Sequence, residues 1–339
     1  MPRRATRSAH ADDGRRPPAA GVTARPIDSS NRPLGAGLVV LAAVCFGTLG
    51  PVTRFADDAG VGSLALVAWR AALGATAMLL LLLLLRGLAG RRPLAVRDVP
   101  PRERAFIVAG GIANLVLNLS MFIAFVRIEI GLSLLVFYCY PAAVAVASVL
   151  WFGERLDPLR WSALGLSIGG LILTLAGAGG FGELDALGIG LSFLAACTQA
   201  FYVLAARHAF AGIPPIEASA TTMGLAAFGY VLIALVTGQL AGLAAPLASD
   251  AALLPVLAAG LIGAALPTLC FITGIRLLGP TRAAILATLE PVVGVGLAAW
   301  LLNEQPAPIQ LVGGVLILVA AVLLQIGGRS ASEHEAVGA

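Results

Sequence analysis

Apolar residues run along this chain in ten long stretches, and polar and charged residues gather in the short segments between them. Each stretch is long enough to cross a hydrocarbon core of about 30 Å as a helix rising about 1.5 Å per residue. The pattern predicts spans at 35–56, 63–85, 104–126, 130–152, 159–177, 186–206, 216–237, 252–275, 281–302 and 308–327. A bilayer core holds no water to satisfy backbone groups, and a helix satisfies its own. The fold class that follows is an all-α integral membrane protein with ten transmembrane helices.

Two stretches share a further pattern. Residues 131–154 read GLSLLVFYCYPAAVAVASVLWFGE and 281–304 read TRAAILATLEPVVGVGLAAWLLNE. Each has a polar residue directly before a proline, Tyr140-Pro141 and Glu290-Pro291, and a glutamate thirteen positions later, Glu154 and Glu304. The two sets lie 150 positions apart. Proline removes one helical hydrogen bond and clashes with the preceding turn. The carbonyls of Phe137 and Ala287 are therefore predicted to lose their partners and to be free to meet a substrate or a water. LAAVCFGTLGPVTRFA in the first span and LAACTQAFYVLAARHA in the sixth align with Arg54 on Arg207 and Gly47 on Ala200. Gly169-Gly170 in the fifth span and Gly313-Gly314 in the tenth extend the match. Repeat 1 is placed at 34–177 and repeat 2 at 186–327, five spans each. An odd number makes the second repeat enter from the opposite side, an inverted-topology plan common in secondary transporters. Residues 1–33, rich in Arg, Ala, Pro and Asp without apolar periodicity, read as a disordered tail, and 328–339 as a second tail.

Composition sharpens the class. Hydrophobic residues make up 59% of the chain and charged ones 12%, with a mean hydropathy of +0.93; soluble domains are about a quarter charged. All 22 basic residues are arginine, which excludes a Walker-type lysine, a retinal Schiff base and a lysine nucleophile. The net charge of +4 does not point to nucleic acid, because the arginines cluster in connecting segments. Seven precede the first span, six lie between Arg86 and Arg104, and Arg155, Arg160, Arg207, Arg276, Arg282 and Arg329 fall on that same side. The opposite side has only Arg54 and Arg127. The positive-inside rule then predicts a multi-pass protein of the inner (plasma) membrane with both termini cytoplasmic. No small-residue cleavage site follows a short apolar core, so a cleaved signal peptide is not expected. Cys45, Cys139, Cys197 and Cys270 fall one to a span with no CxxC spacing. Neither a disulfide framework nor a zinc site is indicated, and all four read as buried apolar packing.

Ionisable groups inside a bilayer are costly and mark a cavity or a partner. Glu290 is the only acidic residue placed deep in a predicted span, and Arg70 the only basic one. Glu290 reads either as a substrate-binding or coupling carboxyl or as a cap on the kinked helix. Arg70 reads first as structural, near enough to the external interface to snorkel, and a pairing with Glu290 is also open. Asn114 and Asn118, four apart on one helical face, fit either a grip on a carboxylate or amine or helix–helix bonding. Tyr138 and Tyr140 flank Cys139 on neighbouring faces, so only one is expected to reach a cavity. Gln199 and Tyr202, beside Thr198, complete the candidate substrate contacts, with Thr268 a weaker one. Pro141 and Pro291 are predicted to kink their helices around one cavity. Glu154 and Glu304, at span ends, fit a structural or gating role. Trp151, Trp161 and Trp300 read as interfacial anchors. Gly165 and Gly169 form a GxxxG close-packing motif, and both a monomer and a homodimer remain open.

YPAAVAVASVLWFGE and its echo EPVVGVGLAAWLLNE, the Trp69-Arg70 pair and CFGTLGPVTRF resemble the drug/metabolite transporter superfamily, in its ten-span branch with two EamA domains. The resemblance covers about residues 35–327. The chain has Phe46-Gly47 where that family usually has tryptophan-glycine, and Gln199-Ala200 where it often has tryptophan-alanine. The resemblance implies a cavity lined by spans one to four and six to nine, with spans five and ten peripheral. It also implies export or exchange of small metabolites such as amino acids, with no cofactor and with a small-molecule substrate and the lipid bilayer as partners. The rival readings are an intramembrane enzyme and a non-transporting sensor or scaffold. His10, His208 and His334 all lie outside span interiors, which leaves no HExxH and no embedded Ser–His pair. Asp57-Asp58, the only acidic doublet beyond the tail, reads as a solvated turn. The linkers are too short for a soluble sensor domain. No nucleotide site is visible, and one buried carboxylate without a buried histidine makes a poor metal cage.

Overall fold

The computed structural model describes residues 31–89, 101–153, 156–178, 185–209 and 215–337. The described residues contain no strand. Ten helical spans run Arg32–Asp58, Ser63–Leu85, Arg104–Arg127, Ile130–Trp151, Pro158–Gly177, Ala186–Ala205, Ile216–Val236, Asp250–Leu278, Arg282–Leu302 and Pro308–Ile326. Every end lies within three residues of its prediction from hydropathy. The predicted N-terminal tail falls outside the described residues except for its last three.

Six spans are single helices: α3 (Ser63–Ala89), α4 (Pro101–Arg127), α7 (Pro158–Gly177), α8 (Ala186–Ala209), α9 (Pro215–Val236) and α14 (Pro308–Val337). The last continues as helix through most of the segment read as a second tail. The other four are interrupted. Span one is α1 (Arg32–Gly47) and α2 (Leu49–Asp58), and span four is α5 (Ile130–Phe137) and α6 (Tyr140–Phe152). Span eight is α10 (Asp250–Leu257), a π-helical stretch at Ala258–Ala265, and α11 (Leu266–Leu278). Span nine is α12 (Pro280–Ala287) and α13 (Leu289–Leu302). Each interruption lies just ahead of a proline: Pro51, Pro141, Pro267 and Pro291. The missing N–H frees the carbonyl four residues back, on Gly47, Phe137, Gly263 and Ala287. The breaks at Pro141 and Pro291 were expected from the repeat; those at Pro51 and Pro267 obey the same chemistry.

The halves interlock. Span one packs on span eight, span three on span six, and spans two, four and five on seven, nine and ten. Exchanging the repeats maps the one–eight contact onto the three–six contact and the other three onto themselves. That is the contact pattern of a two-fold axis between two five-helix repeats. The α7–α14 crossing depends on Gly170 and Gly313. A Cβ on Gly170 would sit 2.7 Å from the Gly313 carbonyl oxygen, and one on Gly313 would sit 2.5 Å from that of Gly170. The predicted GxxxG face is not this contact. Gly165 and Gly169 have nothing within 4 Å, and Gly170 lies one residue, and so about 100° of helix, further round.

The two arginines that depart from the charge bias each have a structural partner. Arg54 donates to the carbonyls of Val126 and Ile128 at 3.1 and 2.8 Å, closing the end of α4. Arg127 lies 2.7 Å from the Asp185 carboxylate, which also accepts from the N–H groups of Leu187 and Gly188 at the start of α8. The Arg127 hydrogen bond, aided by the backbone ones, holds the Asp185 carboxyl below the usual carboxylate range. Trp151, Trp161 and Trp300 are exposed. Cys45, Cys139 and Cys270 are buried, but Cys197 is exposed on α8, which corrects the expectation that all four are packed inside.

Candidate functional site

The two expected breaks meet. Tyr138 sits in the turn between α5 and α6, and Glu290 in the first turn of α13. The Tyr138 hydroxyl lies 3.0 Å from Glu290 Oε2 and 3.2 Å from the carbonyl oxygen of Ala287, the one that Pro291 frees. A break in one repeat thus grips the break in the other. Tyr138 is held by its neighbours, with ring centroids 5.7 Å from Phe137 and 5.8 Å from Tyr140. Gly47, at the break in span one, approaches from a third side, where an added Cβ would meet the Glu290 carbonyl at 3.1 Å. Glu290 and Tyr140 are half-buried.

Arg70 anchors a second cluster. Its guanidinium donates to Asn118 Oδ1 at 2.7 Å and to the Gly263 carbonyl at 3.0 Å, and lies 5.4 Å from the centre of the Phe122 ring. Gly263 O is the carbonyl freed by Pro267. Asn118 in turn donates to the backbone oxygen of Asn114 at 2.8 Å, with Asn114 Oδ1 at 3.3 Å. Two expectations are corrected here. Arg70 does not snorkel: at 9% exposure its two terminal nitrogens are bonded inside the bundle, while its Nε finds no partner among the described residues. It forms no ion pair with Glu290 either, since both groups are already engaged by other partners; each still lies in the other's electrostatic field.

Among the other candidates, Asn118 serves helix–helix bonding, while the Asn114 side chain is half-buried beside it. Gln199 and Tyr202 are half-buried on α8, where Tyr202 approaches Thr222 of α9. Pro141 and Pro291 are buried at the two breaks. Glu304 follows Asn303, whose left-handed backbone (φ 56°) turns the chain back after α13. Its two carboxylate oxygens accept from Ile130 N at 2.9 Å and Gly131 N at 3.2 Å, capping α5. Glu154 lies outside the described residues. Sequence reasoning missed the Gly263 carbonyl and the bond from Trp69 Nε1 to the Leu243 carbonyl at 2.7 Å; Pro267 was the available signal for the first. Between α2 and α10 an open apolar groove of about 550 Å³, lined by Val52, Phe55, Leu254 and Pro255 with Asp58 at its edge, lies apart from these clusters.

The profile of the EamA-like transporter family matches residues 33–176 and 186–326, one match to each half. An uncharacterized transporter of Synechocystis sp. is 27% identical over 209 residues, which cover 60% of this chain and 61% of that protein. An uncharacterized transporter of Archaeoglobus fulgidus is 25% identical over 289 residues, covering 85% of this chain and 95% of the relative. A crystal structure shares the fold with a TM-score of 0.56 at 22% identity, over 86% of this chain and 96% of its own. With both halves matched, the ten-span chain belongs to the EamA-like transporter family and is a membrane transporter, not an enzyme.

Proposed function

We propose that the protein is a secondary active transporter that exports small metabolites, amino acids or related compounds, by alternating access. It works across the plasma membrane with both termini cytoplasmic, as the arginine distribution favours. The observation that carries this reading is Glu290: an accessible carboxyl at a helix break, held by a residue of the opposite repeat. Inverted repeats rock against each other around such a site. An ionised Glu290 binds a substrate amine through Oε1, the oxygen not engaged by Tyr138. A proton taken up as the substrate leaves neutralises it, so substrate efflux is coupled to proton entry. Tyr140, Asn114, Gln199 and Tyr202 are the proposed further substrate contacts, while Arg70 and Asn118 hold spans two, three and eight in register. Repeat 1 acts as the unit 34–177 and repeat 2 as 186–327.

The test is metabolite profiling of medium from cells over-expressing wild-type protein, Glu290→Gln protein or empty vector. The expected result is a rise in one metabolite class with wild type alone. An unchanged medium, or an equal rise with Glu290→Gln at matched membrane levels, counts against the reading.

A further inference from the structure

The Tyr138 hydroxyl has one proton and two acceptors within reach, Glu290 Oε2 at 3.0 Å and the Ala287 carbonyl at 3.2 Å. It can donate to only one at a time. Its ring is fixed between Phe137 and Tyr140 and is 4% exposed, so the choice is made by rotation of the O–H bond. We propose that Tyr138 is a positioning residue that couples the protonation of Glu290 to the hinge of span nine, by switching its hydroxyl proton between the Glu290 carboxylate and the Ala287 carbonyl. This rests on the proton-coupled reading of Glu290 given above.

The two states follow from hydrogen-bond strength. A bond to an ionised acceptor is about twice as strong as one between neutral groups. Ionised Glu290 therefore holds the Tyr138 proton, and the Ala287 carbonyl, already deprived of its helical donor by Pro291, is left without one. The hinge between α12 and α13 is then loose. When Glu290 takes up a proton, its O–H donates to the Tyr138 oxygen and Tyr138 donates its own proton to the Ala287 carbonyl. No proton is lost from the pair, and the hinge carbonyl is satisfied. The hinge is thus firm with Glu290 neutral and free with Glu290 charged. The other groups facing Glu290 do not perform this switch. Arg70 of α3 stays bonded to Asn118 and Gly263, Tyr140 of α6 has no hydrogen bond to the carboxylate among the described contacts, and Gly47 of α1 presents only backbone.

The test needs no substrate, because the probe is pH. Full-length protein in lipid vesicles is titrated by infrared difference spectroscopy, and the protonated-carboxyl band missing from Glu290→Gln is assigned to Glu290. Hydrogen-exchange protection factors of the hinge amides at 286–289 are measured over the same range. In wild type, protection is expected to fall about tenfold as the Glu290 band disappears, the equivalent of one lost hydrogen bond of about 1.4 kcal/mol. In Tyr138→Phe the band should still titrate while hinge protection stays constant. Pro291→Ala restores a helical donor to Ala287 and should flatten hinge protection with the Tyr138–Glu290 pair intact. Hinge protection that tracks the Glu290 band with wild-type amplitude in Tyr138→Phe overturns the switch. The same tracking in Pro291→Ala overturns it too, and that variant decides the matter if Tyr138→Phe fails to assemble. A wild-type protein with no titrating Glu290 band is a different outcome: it removes the proton-coupled reading itself, and the switch with it.

Discussion

The guanidinium of Arg70 in repeat 1 donates to the carbonyl of Gly263 in repeat 2, the oxygen that Pro267 leaves without a helical donor. The Tyr138 hydroxyl stands in the same relation to Ala287 and Pro291. Two proline-freed carbonyls of the second repeat are thus met by side chains of the first, so helix irregularity and inter-repeat adhesion are one feature. Arg70→Ala should leave the Gly263 and Asn118 oxygens without their donor. Each orphaned group costs about 1–3 kcal/mol by soluble-protein measure, and about 0.6–1.7 kcal/mol by membrane double-mutant cycles. A lower unfolding temperature in detergent is expected. Arg70→Lys should recover only part of it, because a single ammonium cannot reproduce the guanidinium fork. Equal stability of wild type and Arg70→Ala would show that the π-helical stretch holds without this bond.

Pro141→Ala and Pro291→Ala each restore a backbone N–H at a break. The helix gains a hydrogen bond, so membrane insertion and thermal stability should hold or rise. Export should fall, because a straightened span cannot flex at the Tyr138–Glu290 junction. The comparison is made at matched membrane levels with the metabolite found by profiling. Wild-type export by the double mutant would remove these breaks from the mechanism.

The α7–α14 crossing gives a contrast within one helix. Gly170→Ala places a Cβ 2.7 Å from a backbone oxygen that has no side-chain freedom to yield. Overpacking of this kind costs about 1–3 kcal/mol. Gly165→Ala and Gly169→Ala meet open space and should be neutral or gain slightly from helix propensity. Thermal unfolding of the three single variants ranks them, and a Gly170→Ala as stable as Gly165→Ala would place the crossing elsewhere.

Span positions were legible because ten apolar stretches separated by arginine clusters leave few ways to thread a bilayer. The repeat was legible because Tyr140-Pro141 and Glu290-Pro291 recur at a fixed offset. What lay hidden was partner choice. Hydropathy says that Arg70 needs a partner but not which one, so it points to snorkelling or Glu290 and not to the Asn118 and Gly263 oxygens that bind it. Asn114 and Asn118 were rightly placed on one face, yet their division of labour depends on the angle at which α3 crosses α4. Gly170 was visible beside the GxxxG but lay outside its spacing. Pro51 and Pro267 carry the same signal as Pro141 and Pro291 but have no proline 150 positions away, so the repeat does not single them out.

Topology can be checked directly. In a background with Cys45, Cys139, Cys197 and Cys270 replaced, single cysteines at 97 and 183 are labelled on intact cells with an impermeant thiol reagent. Position 183 is expected to react, and position 97 only after permeabilisation. Strong labelling at 97 with none at 183 would reverse the orientation inferred from the arginines. Asp185 beside this site carries a pH signature. Its carboxyl is held low by Arg127, so the pair's contribution is present above the ordinary carboxylate pKa and is lost as pH falls through the depressed value. The arrangement of α4 on α8 should therefore be insensitive to pH near neutrality.

Glu290 separates a transporter coupled to protons from one that is not. The carboxyl stands at a helix break and is bonded by Tyr138, with Oε1 accepting no bond among the described residues. Glutamine at this position keeps the size and an acceptor oxygen for Tyr138, so Glu290→Gln should fold, insert and unfold close to wild type. It cannot carry a negative charge or release a proton. Under the coupling mechanism it loses uphill transport driven by a proton gradient, and substrate binding loses its pH dependence. Glu290→Asp keeps the charge but withdraws it by about one methylene, roughly 1.5 Å, which strains the contact with Tyr138. It should retain proton-driven transport at a lower rate. The decisive measurement is accumulation of the exported metabolite in vesicles with and without a proton gradient. If Glu290→Gln still accumulates it at the wild-type rate, Glu290 only holds Tyr138 in place, and coupling must come from another group.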